Sequence, residues 1–203
     1  MLARLAAADP VLAKLIERYG SPDGVLARRG RRPGDAYGAL LRSIVGQQLS
    51  TRSARSIFER LVGLFGDRTP TPRELLDTDP ETLREVGLSR AKVAFLRDLA
   101  EHVEDGELDL ERIAELPDEE VAAQLTRIQG IGPWTVDMFL IFHLGRPDVL
   151  PVGDLGIRRA AQIEYGRDDL PNAAQLERIA EPWRPHRSLG ALYLWRSLDA
   201  TPA

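Results

Sequence analysis

The chain has 203 residues, of which 43% are hydrophobic, and this is enough to bury one large core or two smaller lobes. It contains no cysteine and only three histidines without paired spacing, which excludes disulfides, thiol nucleophiles and cysteine-held zinc or iron–sulfur clusters. No apolar run reaches the roughly 18 residues of a membrane span, and the N-terminus lacks the apolar block of a signal peptide, so we expect a cytoplasmic protein.

The net charge of −4 is unevenly distributed along the chain. Residues 98–120 hold eleven acids and one arginine, whereas the first sixty residues hold eleven Lys or Arg against five acids. This pattern favours a protein with one acidic face and a basic remainder that binds a polyanion. Two ordinary solvated faces are the alternative on charge alone.

Apolar residues recur at helical spacing along nearly the whole chain, beginning with residues 1–20 and 35–50. A further helix is predicted to start at a cap on Ser50 or Thr51 and to end at Gly66. The remaining predicted helices cover residues 70–89, as two short helices broken at Pro80, and then 89–106, 116–128, 133–145, 155–166, 172–183 and 187–198.

Strand signals are nearly absent from the sequence. Only residues 148–152 favour a strand, and Pro151 interrupts them. The sequence therefore predicts an all-α protein of about ten helices joined by short loops. The segment 28–34, rich in Arg, Gly and Pro, is the best candidate linker.

Two glycines interrupt the helical pattern in LTRIQGIGPWTVDMF, residues 125–139. Gly130 and Gly132 can adopt positive φ or admit a close backbone, and Pro133 suits the first turn of a following helix. The second helix would begin with exposed N–H groups and a partial positive charge, which can hold a phosphate without reading sequence. A plain helical hairpin inside a bundle is the alternative.

This segment resembles the helix–hairpin–helix motif of the DNA glycosylase superfamily that carries the motif's name. Four other segments resemble the 3-methyladenine DNA glycosylase II, or alkylbase, branch of that superfamily, and they occur in the same order. They are SIVGQQLSTRSARSIFERLVGLFG, GLSRAKVAFLRDLA, VLPVGDLGIRRA and EPWRPHRSLGALYLWR. The resemblance covers residues 35–198 and is closest to compact members, which lack the β-rich N-terminal domain of larger bacterial ones.

The resemblance implies an all-α fold of two helical lobes that flank a DNA-binding cleft. The terminal lobe would combine residues 1–34 with 155–203, and the central lobe would span 35–154 with the helix–hairpin–helix at about 120–145. The implied partner is double-stranded DNA containing damaged bases, bound by a monomer, in the nucleoid of a prokaryote. The implied activity is monofunctional: the enzyme flips alkylated bases, of the 3-methyladenine and 7-methylguanine type, and hydrolyses their N-glycosidic bond in base excision repair.

By the same resemblance, Asp154 is the catalytic carboxylate. Breaking an N-glycosidic bond builds positive charge on the sugar, which a nearby carboxylate stabilises while it orients or deprotonates water. Asp154 can also be the N-cap of the helix that follows, and the two roles are compatible. Asp137, inside the helix after the hairpin, is a rival carboxylate whose alternative is plain solvation.

Bifunctional members of the superfamily carry a lysine two residues after the second hairpin glycine, where this chain has Trp134. The two lysines of the chain, Lys14 and Lys92, lie outside that motif. The resemblance therefore implies that water is the nucleophile, that there is no lyase activity and that the product is an abasic site.

A flipped base leaves a gap in the duplex that the protein must fill. By resemblance, Gln48 aligns with the residue that fills it, and Gln47 lies beside it; the alternative is an ordinary polar helix end. Leu88 or Ser89 would wedge beside the opposite base. The remaining predicted DNA contacts are at the hairpin: Gly130, Gly132 and Thr135.

Alkylated purines carry a positive charge, so an aromatic pocket can prefer them by cation–π stacking. Trp134 occupies the position of the pocket tryptophan of the branch, and Met138 stands where a well-known form has tyrosine. Trp183 and His186 lie near the second pocket aromatic, although Trp183 can equally be a core residue. Core packing is the preferred interpretation of Trp195.

No cofactor is predicted except a structural Na⁺ or K⁺ at the hairpin, which the family binds through backbone carbonyls. The matching positions are Thr126, Ile128 and Ile131, and neutral oxygen ligands suit such a hard cation.

Two other functions are compatible with the sequence. One is a helix–hairpin–helix protein that binds DNA without chemistry, and the other is an all-α scaffold whose glycines merely turn the chain. A glycosylase of the same fold with another lesion preference, such as hypoxanthine or etheno-adenine, also remains open.

Overall fold

The computed structural model describes residues 1–21 and 35–199, and within these ranges it contains helices and no strand, which confirms the predicted all-α class. The α-helices of the described residues are, in chain order, α1 (Leu2–Ala8), α2 (Pro10–Tyr19), α3 (Ala36–Gly46), α4 (Thr51–Gly63), α5 (Pro72–Asp77), α6 (Pro80–Glu85), α7 (Arg90–Glu104), α8 (Asp118–Leu125), α9 (Pro133–Phe142), α10 (Leu155–Glu164), α11 (Ala173–Ala180) and α12 (Arg187–Asp199). Short 3-10 helices occupy Ile113–Glu115 and Glu181–Trp183.

Side-chain caps fix the start of most of these helices. Ser50 begins α4 and Ser89 begins α7, each by accepting the N–H of the residue three positions later. Pro80 opens α6 and separates it from α5, as predicted. The predicted helix over residues 35–50 ends earlier, at Gly46, because a turn follows it directly.

The chain divides into two compact units, and the division falls inside α9, between Val136 and Asp137. Among the described residues, the terminal unit contains 1–21 and 137–199, and the central unit contains 35–136. This differs from the boundary at residues 154 and 155 that the sequence indicated.

Contacts with α12 explain why residues 137–154 belong to the terminal unit. The Phe142 ring stacks on Trp195, and the Ser188 hydroxyl donates to the carbonyl of Arg146 and accepts the N–H of Val149. The predicted linker at residues 28–34 lies outside the described residues.

A buried carboxylate organises the terminal unit. Asp9 caps α2 by accepting the N–H groups of Val11 and Leu12 at 2.8 and 3.1 Å. Its other oxygen accepts the Tyr165 hydroxyl and, at 2.8 Å, the Trp183 indole N–H. Four donors therefore compensate the cost of burying this charge.

The central unit packs α3 on α4 and α5 on α7. Leucines fill its interior, and several of them are completely buried, including Leu40, Leu41, Leu61, Leu75, Leu83 and Leu96. Within the described ranges, no helix has both the length and the apolarity needed to cross a bilayer.

Candidate functional site

The structure requires glycine at only one of the two glycine positions in the hairpin between α8 and α9. Gly130 has φ +82°, and a Cβ built there would lie 2.2 Å from the Phe95 ring, so no other residue fits. Gly132 is outside the left-handed region, and nothing within 4 Å would meet a Cβ there. Packing inside the central unit therefore explains Gly130 but not Gly132.

The hairpin also presents backbone donors at the start of α9. The Gly132 carbonyl accepts the N–H groups of Thr135 and Val136 at 2.9 and 3.1 Å. Within the described residues, the N–H groups of Gly130 and Gly132 donate to no protein acceptor. Peptide donors at a helix start favour an anion.

Thr135 was predicted to contact DNA, and the structure corrects this assignment. Its side chain is buried, and its N–H is bonded to the Gly132 carbonyl. Neither the side chain of Thr135 nor its backbone N–H is therefore available to contact DNA.

One face of α7 contacts both the hairpin and the turn that follows α3. The residues are Lys92, Phe95 and Asp98, which lie at successive three-residue intervals on a helix surface. Phe95 packs against Gly130, and the Asp98 carboxylate accepts the N–H of Gln129 at 2.8 Å.

At the N-terminal end of this face, Lys92 donates to two backbone carbonyls. Its Nζ lies 2.8 Å from the oxygen of Val45 and 2.8 Å from the oxygen of Gln47. Burial lowers the pKa of Lys92. Sequence reasoning missed this role, because a three-residue spacing on a helix does not reveal which distant carbonyls a lysine will reach.

The two adjacent glutamines have opposite orientations. Gln47 is half-buried, and its Nε2 donates to the Gly130 carbonyl at 2.7 Å. Gln48 is exposed and has φ +57°, a region that residues other than glycine seldom adopt. Gln47 thus connects the turn to the hairpin, while Gln48 extends from the surface of the central unit.

Leu88 and Ser89 were both predicted to wedge beside a base, and burial separates them. Leu88 is only 4% exposed and belongs to the core of the central unit, so its assignment was wrong. Ser89 is exposed, and its hydroxyl accepts the Lys92 N–H at 3.2 Å as the cap of α7.

In the terminal unit, Asp154 is the N-cap of α10, as the sequence suggested. Its Oδ1 accepts the N–H of Ile157 at 2.8 Å and the indole N–H of Trp195 at 3.0 Å. Gly156 leaves room for this arrangement, since a Cβ there would lie 3.0 Å from the same oxygen and 3.5 Å from the Trp195 ring. The half-buried carboxylate is held in one orientation by donors from two helices.

Trp195 is a core residue, as the sequence suggested, and it also binds Asp154. It is 2% exposed, as expected for core packing, and its ring stacks on Phe142 with centroids 5.8 Å apart. Its N–H nevertheless reaches Asp154, which is 41 positions away in the chain. No spacing rule connects the two, because the contact depends on how α10 packs on α12.

A second carboxylate in the terminal unit senses the charge of Asp154. Asp137 is half-buried, and burial together with the negative charge of Asp154 raises the pKa of Asp137 to about 6. The rival carboxylate of the sequence analysis thus has a distinct environment, in which ionisation is disfavoured.

The predicted pocket aromatics also separate by exposure. Trp183 is 0% exposed, with its indole bonded to Asp9 and its ring against Gly190, so it is a core residue and the pocket assignment was wrong. His186 is half-buried, and its Nδ1 has no hydrogen-bond partner among the described residues.

On α9, Trp134 remains 46% exposed, which leaves much of its indole accessible. Met138 is half-buried and lies four positions further along the same helix, where side chains share a face.

We expect the two hairpin glycines to respond differently to alanine. Gly130→Ala should lower the free energy of unfolding by about 2 kcal/mol or more, because it adds backbone strain and displaces Phe95. Gly132→Ala should change it by no more than about 0.5 kcal/mol. Urea unfolding followed by circular dichroism measures both, and equal losses would contradict this account.

Asp137→Asn should stabilise the protein in a pH-dependent manner. Since the pKa of Asp137 is raised from 3.8 to about 6, ionisation costs stability as the pH rises through that value. Asparagine cannot ionise, so the variant should melt at a higher temperature than the wild type at pH 8, and the gain should vanish towards pH 4. Asp169→Asn, at an exposed position of the same unit, controls for the change in net charge. A gain that grows on acidification would refute the assignment.

Comparison with known proteins identifies the family of this chain. Residues 41–185 match the model of the HhH-GPD superfamily base excision DNA repair proteins. DNA-3-methyladenine glycosylase 1 of Schizosaccharomyces pombe is 35% identical over 188 residues, which are 92% of this chain and 80% of that protein. The putative DNA-3-methyladenine glycosylase YfjP of Bacillus subtilis is 32% identical over 169 residues; the match covers 80% of this chain but only 59% of YfjP.

Solved structures agree with the sequence comparison. The S. pombe 3-methyladenine DNA glycosylase Mag1, in complex with abasic DNA, superposes with a TM-score of 0.84 at 31% identity, covering 98% of this chain and 96% of that one. A DNA-3-methyladenine glycosidase of Bacillus halodurans gives a TM-score of 0.77 at 33% identity, covering 95% and 90%. The chain belongs to the HhH-GPD superfamily of base excision DNA repair proteins.

Proposed function

We propose that this protein is a monofunctional DNA glycosylase that flips alkylated bases, of the 3-methyladenine and 7-methylguanine type, out of duplex DNA and hydrolyses their N-glycosidic bond. The observation that carries the proposal is the carboxylate of Asp154, held through Oδ1 by the N–H groups of Ile157 and Trp195. The similarity to DNA-3-methyladenine glycosylases of Schizosaccharomyces pombe and Bacillus subtilis supports the substrate class.

The chemistry follows from the charge that develops when the bond breaks. As the base departs with the bonding electrons, the sugar gains positive charge, and an oriented carboxylate stabilises it. The same group can orient the attacking water or accept its proton. Because the two hydrogen bonds fix Asp154 before substrate arrives, little reorganisation is needed at the moment of reaction.

The lysines of the chain support hydrolysis rather than strand cleavage. A Schiff base requires an amine within reach of the sugar, and the position two residues after Gly132 is Trp134. The ammonium of Lys92 is bonded to two carbonyls, and Lys14 lies on the exposed surface of α2. Water is therefore the proposed nucleophile, and an abasic site is the product.

DNA binding is assigned to three segments of the central unit: the hairpin, the turn that contains Gln48 and the turn that ends at Ser89. The N–H groups of Gly130 and Gly132 suit a backbone phosphate, and the open space beside Gly132 allows it to approach closely. Gln48 is proposed to fill the gap left by the flipped nucleotide, and Ser89 to contact the opposite strand. Mag1 was solved with abasic DNA, which supports DNA as the partner.

The exposed indole of Trp134 supports a preference for alkylated bases. A cationic purine gains from stacking on an electron-rich ring without specific base-edge hydrogen bonds. Met138, on the same helix, offers a soft and adaptable neighbour. Hypoxanthine and etheno-adenine are the alternative substrates, and a panel of oligonucleotides with one lesion each would rank them against alkylated bases.

A monovalent cation at the hairpin is compatible with the groups present. The Thr126 hydroxyl is turned back to the carbonyl of Ala122, and the Ile128 carbonyl accepts the Ile131 N–H at 3.1 Å. The carbonyls of Thr126, Ile128 and Ile131 would hold the ion, since a carbonyl oxygen can accept two partners. When bound, it would add rigidity to the hairpin backbone. We further propose that the enzyme acts as a monomer on chromosomal DNA.

The proposed function is tested with methylated duplex DNA, incubated with the protein and then treated with alkali to cut abasic sites. The wild type should release methylpurines and leave alkali-sensitive sites. Asp154→Asn should lower the single-turnover rate at least about a hundredfold, because asparagine keeps the cap and the Trp195 bond but lacks the charge. Binding to undamaged duplex should persist. Normal excision by this variant would refute the catalytic assignment.

Trp195→Phe tests whether the indole orients Asp154. Phenylalanine retains stacking against Phe142 but cannot donate to the carboxylate, so the single-turnover rate should fall about tenfold or more. Trp183→Phe is the matched control: it also removes a buried indole donor to an aspartate, but that aspartate is Asp9. The control should lower the melting temperature without changing the rate of the folded protein. Equal rate losses in the two variants would show that the indole acts through stability alone.

A further inference from the structure

The turn formed by residues 46–49, called here the Gln48 turn, has a conformation that its sequence does not favour. Gln47 has φ −55° and ψ 133°, Gln48 has φ +57°, and the Leu49 N–H donates to the Gly46 carbonyl at 3.2 Å. These are the features of a type II β-turn, whose third position requires positive φ and usually holds glycine or asparagine. Glutamine at that position is strained, so the surroundings must select this turn.

The type I turn is the obvious competitor, because it needs no positive φ. The two types differ mainly in the peptide between the two central residues, which is rotated by about half a turn. In the Gln48 turn, that peptide carries the carbonyl of Gln47. A group that binds this oxygen therefore determines whether the turn adopts type I or type II.

Lys92 is the group that binds it. The ammonium lies 2.8 Å from the Gln47 oxygen and is anchored by a second bond of 2.8 Å to the Val45 oxygen. Rotation of the peptide to the type I form would swing the Gln47 carbonyl away and break the first bond. The peptide on the other side of Gln48 is held independently, by the Leu49 N–H.

The side chain of Gln47 connects the same turn to the hairpin. Its Nε2 donates to the Gly130 carbonyl at 2.7 Å, so the residue is held at both its backbone and its side chain. With these contacts in place, Gln48 and Leu49 are the exposed members of the turn, and Gln48 is the one with positive φ.

We propose that Lys92 is a positioning residue that holds the Gln48 turn in its type II form and thereby fixes the direction of the Gln48 side chain. This inference rests on the proposed function, in which Gln48 fills the gap left by a flipped nucleotide. Lys92 acts through the backbone of another residue, and its task is to prepare Gln48 before DNA binds.

The first test is made on the free protein and needs no substrate. In wild-type protein, NMR should show a strong nuclear Overhauser effect between the Hα of Gln47 and the amide proton of Gln48, which is the mark of a type II turn. Lys92→Met should replace it with an effect between the two amide protons. Adding Gln48→Gly to Lys92→Met should restore the type II pattern, because glycine adopts positive φ without strain. If Lys92→Met does not fold, Lys92→Leu, which also lacks a donor, is measured in its place.

The second test asks whether the turn matters for the reaction. Lys92→Met should lower single-turnover release of a methylated base about tenfold or more, with binding to undamaged duplex little changed. The double variant with Gln48→Gly should not regain the rate, since it lacks the side chain that fills the gap.

Arg90→Met is the matched control, because it removes one positive charge from the same end of α7 at an exposed position. It should leave the type II pattern intact. If Lys92 acted instead by attracting phosphate, Lys92→Met would keep the turn and lower the slope of log K against log salt by about one. That result would overturn the inference, as would a flipped turn with an unchanged rate. A wild type that releases no base would refute the proposed function while leaving the turn measurement valid.

Discussion

The close approach of α7 to the hairpin backbone at Gly130 is the constraint on which the central unit depends. The Phe95 ring occupies the space that any other residue at position 130 would need. Two polar contacts flank this packing, one from Asp98 to the hairpin N–H of Gln129 and one from Lys92 to the end of α3. A single helix face thus sets the relative positions of two surface segments that are about eighty residues apart in sequence, as the bond between Gln47 and Gly130 reflects.

The terminal unit contains two aspartates with the same kind of hydrogen bonding. Asp9 and Asp154 are both helix N-caps, and each also accepts an indole N–H from a tryptophan near the C-terminus. Asp9 is buried and bonded by four donors, which makes it a structural anchor. Asp154 is half-buried, so its charge is oriented without being enclosed. Burial therefore distinguishes Asp9, a structural anchor, from Asp154, the carboxylate proposed for catalysis.

Local signals predicted much of the fold. Caps at Ser50 and Ser89 and the break at Pro80 were confirmed, because capping and proline chemistry depend on residues close in sequence. The family and its all-α fold were confirmed as well, through motifs that extend over most of the chain.

Side-chain exposure was harder to predict. Leu88 and Ser89 are adjacent, yet only one of them is accessible, and Trp183 and Trp195 both lie in the core while only Trp195 reaches Asp154. These differences arise from packing between helices distant in sequence, such as α10 on α12, which no local pattern encodes. The division of α9 between the two units has the same origin.

The unequal exposure of the three tryptophans gives the protein its own optical probe. Trp183 and Trp195 are shielded from solvent, whereas nearly half of Trp134 is accessible. A collisional quencher such as iodide will therefore act mainly on the emission of Trp134. A base stacked on that indole would shield it, and the arrival of an unlabelled lesion becomes visible in the intrinsic fluorescence of the native chain.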